Sequence, residues 1–286
     1  MTKPLITVII PTHNNAETIV EALSSIQTQT HDNLEIIVVD DGSTDNTKEV
    51  VEGIVKTDSR VHYYPLEWKD PYPRTNSQGR NINAGYLARN FGISKSKGEY
   101  ITFQDADDTS LVNRIEMELS LLTSHDADHV CIDWQSFEPK LTGKQFDYER
   151  FSKEHPIKIV KPHEIYTMAT KAKGVFYKLF PSLGKYIPWS IKTSRFINKL
   201  FFGNLDPYPG SGNCPLFKRQ VVDKCLFRPL PKRIWPSFTG RGADRDFNFQ
   251  VAETFKNSYT FFVPAYLWRM NIKNPLYPTT IDTYTK

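Results

Sequence analysis

The chain has 286 residues, 39% of them hydrophobic and 13% aromatic, which is enough apolar material for one large domain or two modest ones. Its 36 basic and 32 acidic residues leave a net charge of +4, too balanced to argue for nucleic-acid binding without a local patch. Cys131, Cys214 and Cys225 are odd in number, widely spaced and form no Cys-x-x-Cys pair, so they read as reduced and buried, which favours the cytoplasm. No basic-then-apolar leader precedes the first strand, and no window approaches the roughly 20 apolar residues that span a bilayer, so neither standard export nor a membrane span is expected.

Ile6 to Ile10 is a β-branched run that Pro11 should stop, followed by the polar loop Thr12-His13-Asn14-Asn15. Ile19, Ala22, Leu23 and Ile26 recur at helical spacing, with Asn15 available as N-cap. Leu34 to Val39 is a continuous apolar run, as expected of a strand covered on both faces, and ends in Asp40-Asp41-Gly42-Ser43. Ser43, Thr44 and Asp45 can cap a helix carrying Val50, Val51, Ile54 and Val55, and a third strand follows at Val61 to Leu66. After a Pro- and Arg-containing loop, a helix around Ala84, Leu87, Ala88 and Phe91 ends at Lys95-Ser96-Lys97-Gly98 and leads into a strand at Tyr100. Leu111, Ile115, Leu119 and Leu122 then line a helix, and Val130, Ile132 and Trp134 alternate like a strand. Regularity fails from about Glu138 to Gly212. It returns with Asn213 to Phe217, a helix with Phe247, Val251 and Phe255, and the Tyr259 to Val263 run. Strands alternating with helices imply an α/β fold with a doubly wound, mostly parallel sheet. The parts are 1–136, 137–212 as an aromatic and basic insertion, and 213–286 completing the domain.

The strand at Tyr100 ends in Gln104-Asp105-Ala106-Asp107-Asp108, three carboxylates within four residues. Acids this close repel, take up protons or share a cation, and the rim beyond parallel strand ends is where open α/β sheets bind ligands. Asp-Ala-Asp suits Mn2+ or Mg2+, whose open coordination positions can take phosphate oxygens. A helix-capping role explains one of these acids but not three.

Four stations occur in order: Val8-Ile9-Ile10-Pro11-Thr12-His13-Asn14, Val38-Val39-Asp40-Asp41-Gly42-Ser43-Thr44-Asp45, Ala88-Arg89-Asn90, and Gln104-Asp105-Ala106-Asp107-Asp108. Over residues 5 to about 135 the chain resembles a family 2 inverting glycosyltransferase of the GT-A fold. The resemblance implies that Pro11, Thr12, Asn14 and Asp41 hold the nucleotide base, and that Arg89 and Asn90 reach the diphosphate or hold the acidic loop. It implies Asp107 as the direct metal ligand, Asp105 as the contact to ribose or metal-bound water, and Ala106 between them in the donor site. It makes Asp244, in Gly242-Ala243-Asp244-Arg245-Asp246-Phe247, the catalytic base, with Asp246 as competitor; Ala243 stands where the family commonly has Glu. Trp268-Arg269-Met270-Asn271 resembles a late segment in which Arg269 contacts the diphosphate, but no His follows His163 to serve as a further ligand. Asp40 is equally able to brace the Gly42 turn. The implied function is transfer of a sugar from a nucleoside-diphosphate donor, UDP favoured, to a glycan or lipid-linked glycan, in cell-surface polysaccharide biosynthesis.

Asp105-Ala106-Asp107-Asp108-Thr109 also fits the Asp-x-Asp-x-Thr pattern of phosphatases with an aspartyl nucleophile, a reading that leaves the first 100 residues unexplained. A non-catalytic sugar-nucleotide- or glycan-binding protein is the other alternative, kept alive by Ala243 and the missing late His. Ile165 to Leu205 holds no acid, seven Lys or Arg and nine aromatics, which suits either an anionic membrane surface, a lipid-linked acceptor or a subdomain core. The expected location is therefore the cytoplasm, with a peripheral position on the inner face of the membrane as the further option. His125 and His129 have i, i+4 spacing, but a solvated helix terminus fits them better than a metal site.

Overall fold

The computed structural model describes residues 3–67, 70–72, 74–75, 81–180, 183, 206–235, 242–270, 274 and 281–286. Strand β1 (Ile6–Thr12) lies between β2 (Leu34–Asp40) and β4 (Tyr100–Phe103), with β3 (Val61–Pro65) outside β2, all parallel. Helices α1 (Ile19–Gln27), α2 (Thr47–Val55) and α3 (Tyr86–Lys95) make the connections. The short β5 (Thr109–Ser110) and helix α4 (Arg114–Ser124) lead to β6 (His129–Ser136). The insertion carries α5 (Tyr148–Glu154), β7 (Ile159–Val160), α6 (Pro162–Ala172) and α7 (Gly174–Leu179). Strand β8 (Leu216–Lys218), helix α8 (Ala243–Phe255) and strand β9 (Ser258–Trp268) complete the chain's main elements. Among the described residues one sheet runs β3-β2-β1-β4-β8-β6-β9-β5, with β7 also on β9. The long pairings are parallel, and the antiparallel ones, made by β5, β7 and β8, involve two residue pairs each. The expected mostly parallel α/β sheet is present.

Alternation along the strands feeds two cores. Ile6, Val8 and Ile10 with Ile36 and Val38 meet Ile19, Leu23 and Ile26 of α1, Val51 of α2 and Ile115 and Leu122 of α4. Ile9, Ile37, Val39, Ile101 and Phe103 meet Ala88 of α3 and Phe247 and Val251 of α8 on the other face. Burying such side chains contributes about 1.5–3 kcal/mol each, so a one-residue slip that exchanged the faces would be severely destabilising. At Gly92 an added Cβ would lie 2.4 Å from Ile9 Cγ2, so glycine lets α3 settle directly on β1.

Several sequence expectations shift by a turn. Strand β1 continues through Pro11, which stays in register with Val39. Pairing to β4 has already ended at Ile9–Phe103, so on that side Pro11 has no ladder acceptor to serve. Asn15 is not the N-cap of α1, which starts after Thr18; its side chain instead accepts the N–H of His13 at 3.1 Å. Asp45 does act at the start of α2, accepting Thr47 N–H at 3.0 Å. Leu111 precedes α4, because residues 109–110 first pair with β9. The chain returns from the insertion at Gly210, which has φ +75 and where a Cβ would meet Ile132 O at 2.5 Å; Ser211 N–H then bonds that same oxygen at 2.7 Å.

Candidate active site

Parallel register places three loops on one edge of the sheet: Thr12 pairs with Asp40 and Ile9 with Phe103, so residues 12–15, 41–45 and 104–108 leave together. Asn14 has φ 55 and ties the first two loops: its N–H bonds Ser43 Oγ at 2.9 Å, and its Oδ1 accepts Thr44 N–H at 2.7 Å. Thr12 Oγ1 reaches Asn15 Oδ1 at 3.2 Å, and its carbonyl accepts Asp41 N–H at 2.8 Å. The Pro11 ring backs onto Gly85 at the start of α3. Asp40 is occupied structurally, accepting Ser43 N–H at 2.7 Å across the Gly42 turn and Tyr63 OH at 2.7 Å.

Asp41 is buried, which pushes its carboxyl upward against the pull of Arg74, whose Nη2 lies 3.0 Å from Oδ2 and also donates to the Asp41 carbonyl at 2.6 Å. His13 Nδ1 lies 3.0 Å from the same carbonyl. Arg74 is a site residue that sequence reasoning missed. It sits in a Pro-rich stretch with no periodicity, and it meets Asp41 in space, 33 residues away along the chain.

In the acidic loop, one carboxylate oxygen from each of Asp105, Asp107 and Asp108 lies within 4.8 Å of the others. Arg89 is buried in α3, pairs with Asp105 Oδ1 at 2.6 Å and bonds the Ala84 carbonyl, so it holds the loop from below. Asp105 Oδ2 accepts Asn213 Nδ2 at 2.9 Å. Burial raises the Asp105 carboxyl first, opposed by Arg89, with Asp107 and Asp244 adding to the rise. Asp108 is buried and accepts Tyr266 OH at 2.8 Å and Arg269 N–H at 2.7 Å. Burial, then the charges of Asp105 and Asp107, push it to about 8. Ala106 is buried, and its carbonyl accepts Thr18 Oγ1 at 3.0 Å. Asp107 is exposed at the loop tip. Three converging carboxylates, two raised partly by mutual repulsion, form a hard oxygen donor set that fits a divalent cation, with Asp107 the most open ligand.

Arg269 lies over the Phe137 ring at 3.9 Å, donates to the Asp107 carbonyl at 2.9 Å and pairs with Glu21. Its guanidinium thus clamps the loop. Asn90 spends both ends of its amide on Phe227, at 2.8 Å and 3.0 Å, so it braces α3 against residues 225–228 instead of facing the acids. That corrects its placement among the donor contacts.

On the first turn of α8 two acids have different surroundings. Asp246 is fully buried and saturated: Arg228 Nε and Nη2 at 2.8 and 2.9 Å, and the N–H groups of Ile234 and Trp235 at 2.7 and 2.9 Å. Asp244 is half-buried, and its Oδ2 lies 3.7 Å from where a Cβ on Gly212 would project. Among the described residues no side chain hydrogen-bonds the Asp244 carboxylate, and its charge is felt at Asp105. A carboxylate so placed can accept a proton, whereas Asp246 cannot reach solvent. His125 closes α4 as an exposed helix terminus, as expected, with its ring against Phe261, whereas His129 is fully buried in β6, contrary to that expectation. The three cysteines are free and buried, as expected. Asn271 and residues 184–205 lie outside the described residues, and no described helix is long and apolar enough to cross a membrane.

The family model "Glycosyl transferase family 2" matches residues 7–183. A Campylobacter jejuni protein named GalNAc(5)-diNAcBac-PP-undecaprenol beta-1,3-glucosyltransferase is 30% identical over 201 residues, covering 70% of this chain and 57% of that one. Among solved structures, S. aureus TarS 1-349 in complex with UDP-GlcNAc aligns with TM-score 0.55 and 15% identity over 96% of this chain and 61% of that one. The mannosyltransferase PcManGT from Pyrobaculum calidifontis in complex with GDP-Man and Mn2+ aligns with TM-score 0.51 and 18% identity over 92% and 56%. The chain spans about half the length, or less, of the first curated relatives it matches.

Proposed function

Because the chain belongs to glycosyl transferase family 2 and has the GT-A fold of a transferase enzyme, we propose that it moves a sugar from a nucleoside-diphosphate donor to a hydroxyl of a glycan or lipid-linked glycan. We favour a UDP donor, inversion at the anomeric carbon, dependence on Mn2+ or Mg2+, and a role in cell-surface polysaccharide synthesis. The observation that carries this reading is the cluster of Asp105, Asp107 and Asp108 with the half-buried Asp244 near enough for its charge to bear on Asp105, and we take the space between them as the substrate crevice. The names of the compared proteins support the substrate classes: one holds UDP-GlcNAc, one GDP-Man with Mn2+, and one is a glucosyltransferase on an undecaprenol diphosphate glycan.

In this reading residues 1–136 form the donor half, 137–212 the acceptor-side insertion and 213–286 the part that brings the base. Pro11, Thr12 and Asn14 shape the base pocket, Asp41 accepts the imino N–H of the base, and Arg74 covers its other oxygen and keeps it ionised. Asp107, with Asp105, holds the cation, which when bound neutralises charge on the leaving diphosphate. Arg89 and Arg269 keep the loop in place from either side. Asp244 removes the acceptor hydroxyl proton as the oxygen attacks the anomeric carbon opposite the diphosphate, so one displacement inverts the centre and no enzyme nucleophile is required. Asp105 is a poor phosphatase nucleophile, since Arg89 and Asn213 each occupy one of its oxygens. The exposed Val175, Leu179, Phe180 and Leu183, with exposed Lys171 and Lys178, support a peripheral position at an anionic membrane on the cytoplasmic side.

Asp107→Ala and Asp244→Ala should each abolish measurable sugar transfer; retained transfer in both would overturn the assignment. Thermal stabilisation by UDP, GDP and dTDP with and without Mn2+ identifies the base, because binding raises the melting point by mass action.

A further inference from the structure

The two walls of the crevice come from elements more than a hundred residues apart, yet one short segment touches both. Asn248, one helical turn beyond Asp244 on α8, donates from Nδ2 to the Gly212 carbonyl at 2.7 Å. Its Oδ1 lies 3.0 Å from His129 Nε2. Because the amide nitrogen is the donor to Gly212, Oδ1 must accept, so His129 carries its proton on Nε2. The next residue, Asn213, points the other way. Ser211 Oγ donates to Asn213 Oδ1 at 2.6 Å, which fixes the amide so that Nδ2 serves Asp105 Oδ2 and Tyr266 OH, both at 2.9 Å. Tyr266 in turn gives its proton to Asp108 Oδ2 at 2.8 Å. Every donor and acceptor direction from His129 to Asp108 is thereby determined. The outer links of this chain, His129, Asn248 and Tyr266, are each fully buried, and Gly212 and Asn213 between them are half-buried.

We propose that Asn213 and Asn248 are positioning residues, with Ser211-Gly212-Asn213 acting as the spacer that sets the cation-binding acids and the base at a fixed separation. The inference rests on the transferase reading above. Gly212 is part of the device, since a Cβ there would stand 3.0 Å from Asn248 Nδ2 and crowd the amide that bonds the Gly212 carbonyl. The Asn213 arm acts on the acids, through Asp105 directly and through Asp108 by way of Tyr266. The Asn248 arm acts on the base helix alone. The two arms therefore make separable predictions.

The test measures Mn2+ binding in the presence of UDP by electron paramagnetic resonance of free Mn2+, together with kcat, donor KM and melting temperature. Tyr266→Phe keeps the ring that fills the core and removes one hydroxyl; Asn213→Ala removes the amide. Both should weaken Mn2+ binding roughly tenfold, the usual effect of losing an outer-shell partner of a metal ligand. Asn248→Ala should leave Mn2+ binding and donor KM at the parent values and lower kcat. A merely structural role would lower the melting temperature without this division between binding and turnover. Unchanged Mn2+ binding in Tyr266→Phe overturns the proposal, as does an Asn248→Ala loss shared equally between Mn2+ binding and kcat. If the parent protein itself binds neither UDP nor Mn2+, the transferase reading fails instead.

Discussion

The parallel half of the sheet and the half that follows β6 contribute to the crevice in opposite ways. From the first half come the groups that would touch a donor, each presented at a strand end by residues adjacent in sequence: Thr12 to Asn14, Asp41, and Asp105 to Asp108. From the second come mostly groups that hold them, and over long separations: Asn213 to Asp105 across 108 residues, Tyr266 to Asp108 across 158, Arg269 to Asp107 across 162. Among the described residues Asp244 is an exception from the second half, and Arg74 and Arg89, which hold Asp41 and Asp105, are exceptions from the first. The lesson is that the chemistry is built locally and its stiffness is imported.

This contrast can be attacked by substitution. The largest effects should be on turnover with stability kept. Asp107→Asn and Asp244→Asn should each lower kcat by about 10²–10⁴-fold, the range of a lost acid–base or charge-stabilising group. In metal-free protein Asp107→Asn should raise the melting temperature, because the Asp107 charge is one of the forces pushing Asp108 upward. Lower stability in that variant would contradict the repulsion argument. Asp246→Ala, two residues from Asp244, should behave as the inverse. It strands the Arg228 guanidinium, the buried Trp235 N–H and the half-buried Ile234 N–H, and should cost about 3–5 kcal/mol in urea unfolding.

A pH experiment probes the dry interior behind the crevice. Burial pulls His129 down to about 4, so it is neutral in the folded state while the unfolded imidazole titrates near its ordinary value of 6.5. Its contribution is complete above that value and is lost as pH falls from about 6.5 to 4, a change of about 3 kcal/mol. Glu118, which burial pushes up to about 7 against the pull of Arg114, acts in the opposite sense, losing stability as pH rises from about 4.5 to 7. The expected observation is therefore a difference: unfolding free energy of parent minus His129→Gln should fall with acidification, and a flat difference would refute the buried neutral state. The smallest effect belongs to Arg74→Ala, which should raise donor KM about tenfold with kcat unchanged, in line with loss of one charged hydrogen-bonding partner.

How much of this could be read beforehand follows the same division. Val8 to Asn14, Val38 to Asp45 and Gln104 to Asp108 announce themselves, because a strand end followed by a polar loop leaves a local signature. The sequence could also propose Asp244 over Asp246, but only burial separates them, with one acid saturated by four donors and the other open. Asn90 was misplaced because adjacency to Arg89 says nothing about direction on a helix, where neighbours point about 100° apart. Arg74, Asn213 and Tyr266 were invisible as site residues. Their partners lie far along the chain, beyond any local window. Nothing in the run around His129 told that it would be a buried imidazole and not a helix end.

The return at Gly210 bears on how such a protein can change. The returning end of the insertion is clamped at Ile132 O, by the close approach of Gly210 and by the Ser211 N–H, immediately before the residues that contact Asp105 and α8. Because this clamp stands between the insertion and the Ser211-Gly212-Asn213 segment, a change of length upstream of it should leave that segment in place. The insertion is nevertheless tied to the rest of the molecule by β7 on β9 and by the Trp235 indole N–H on the Ala169 carbonyl of α6, so a lineage can vary the chain between these ties more freely than the ties themselves.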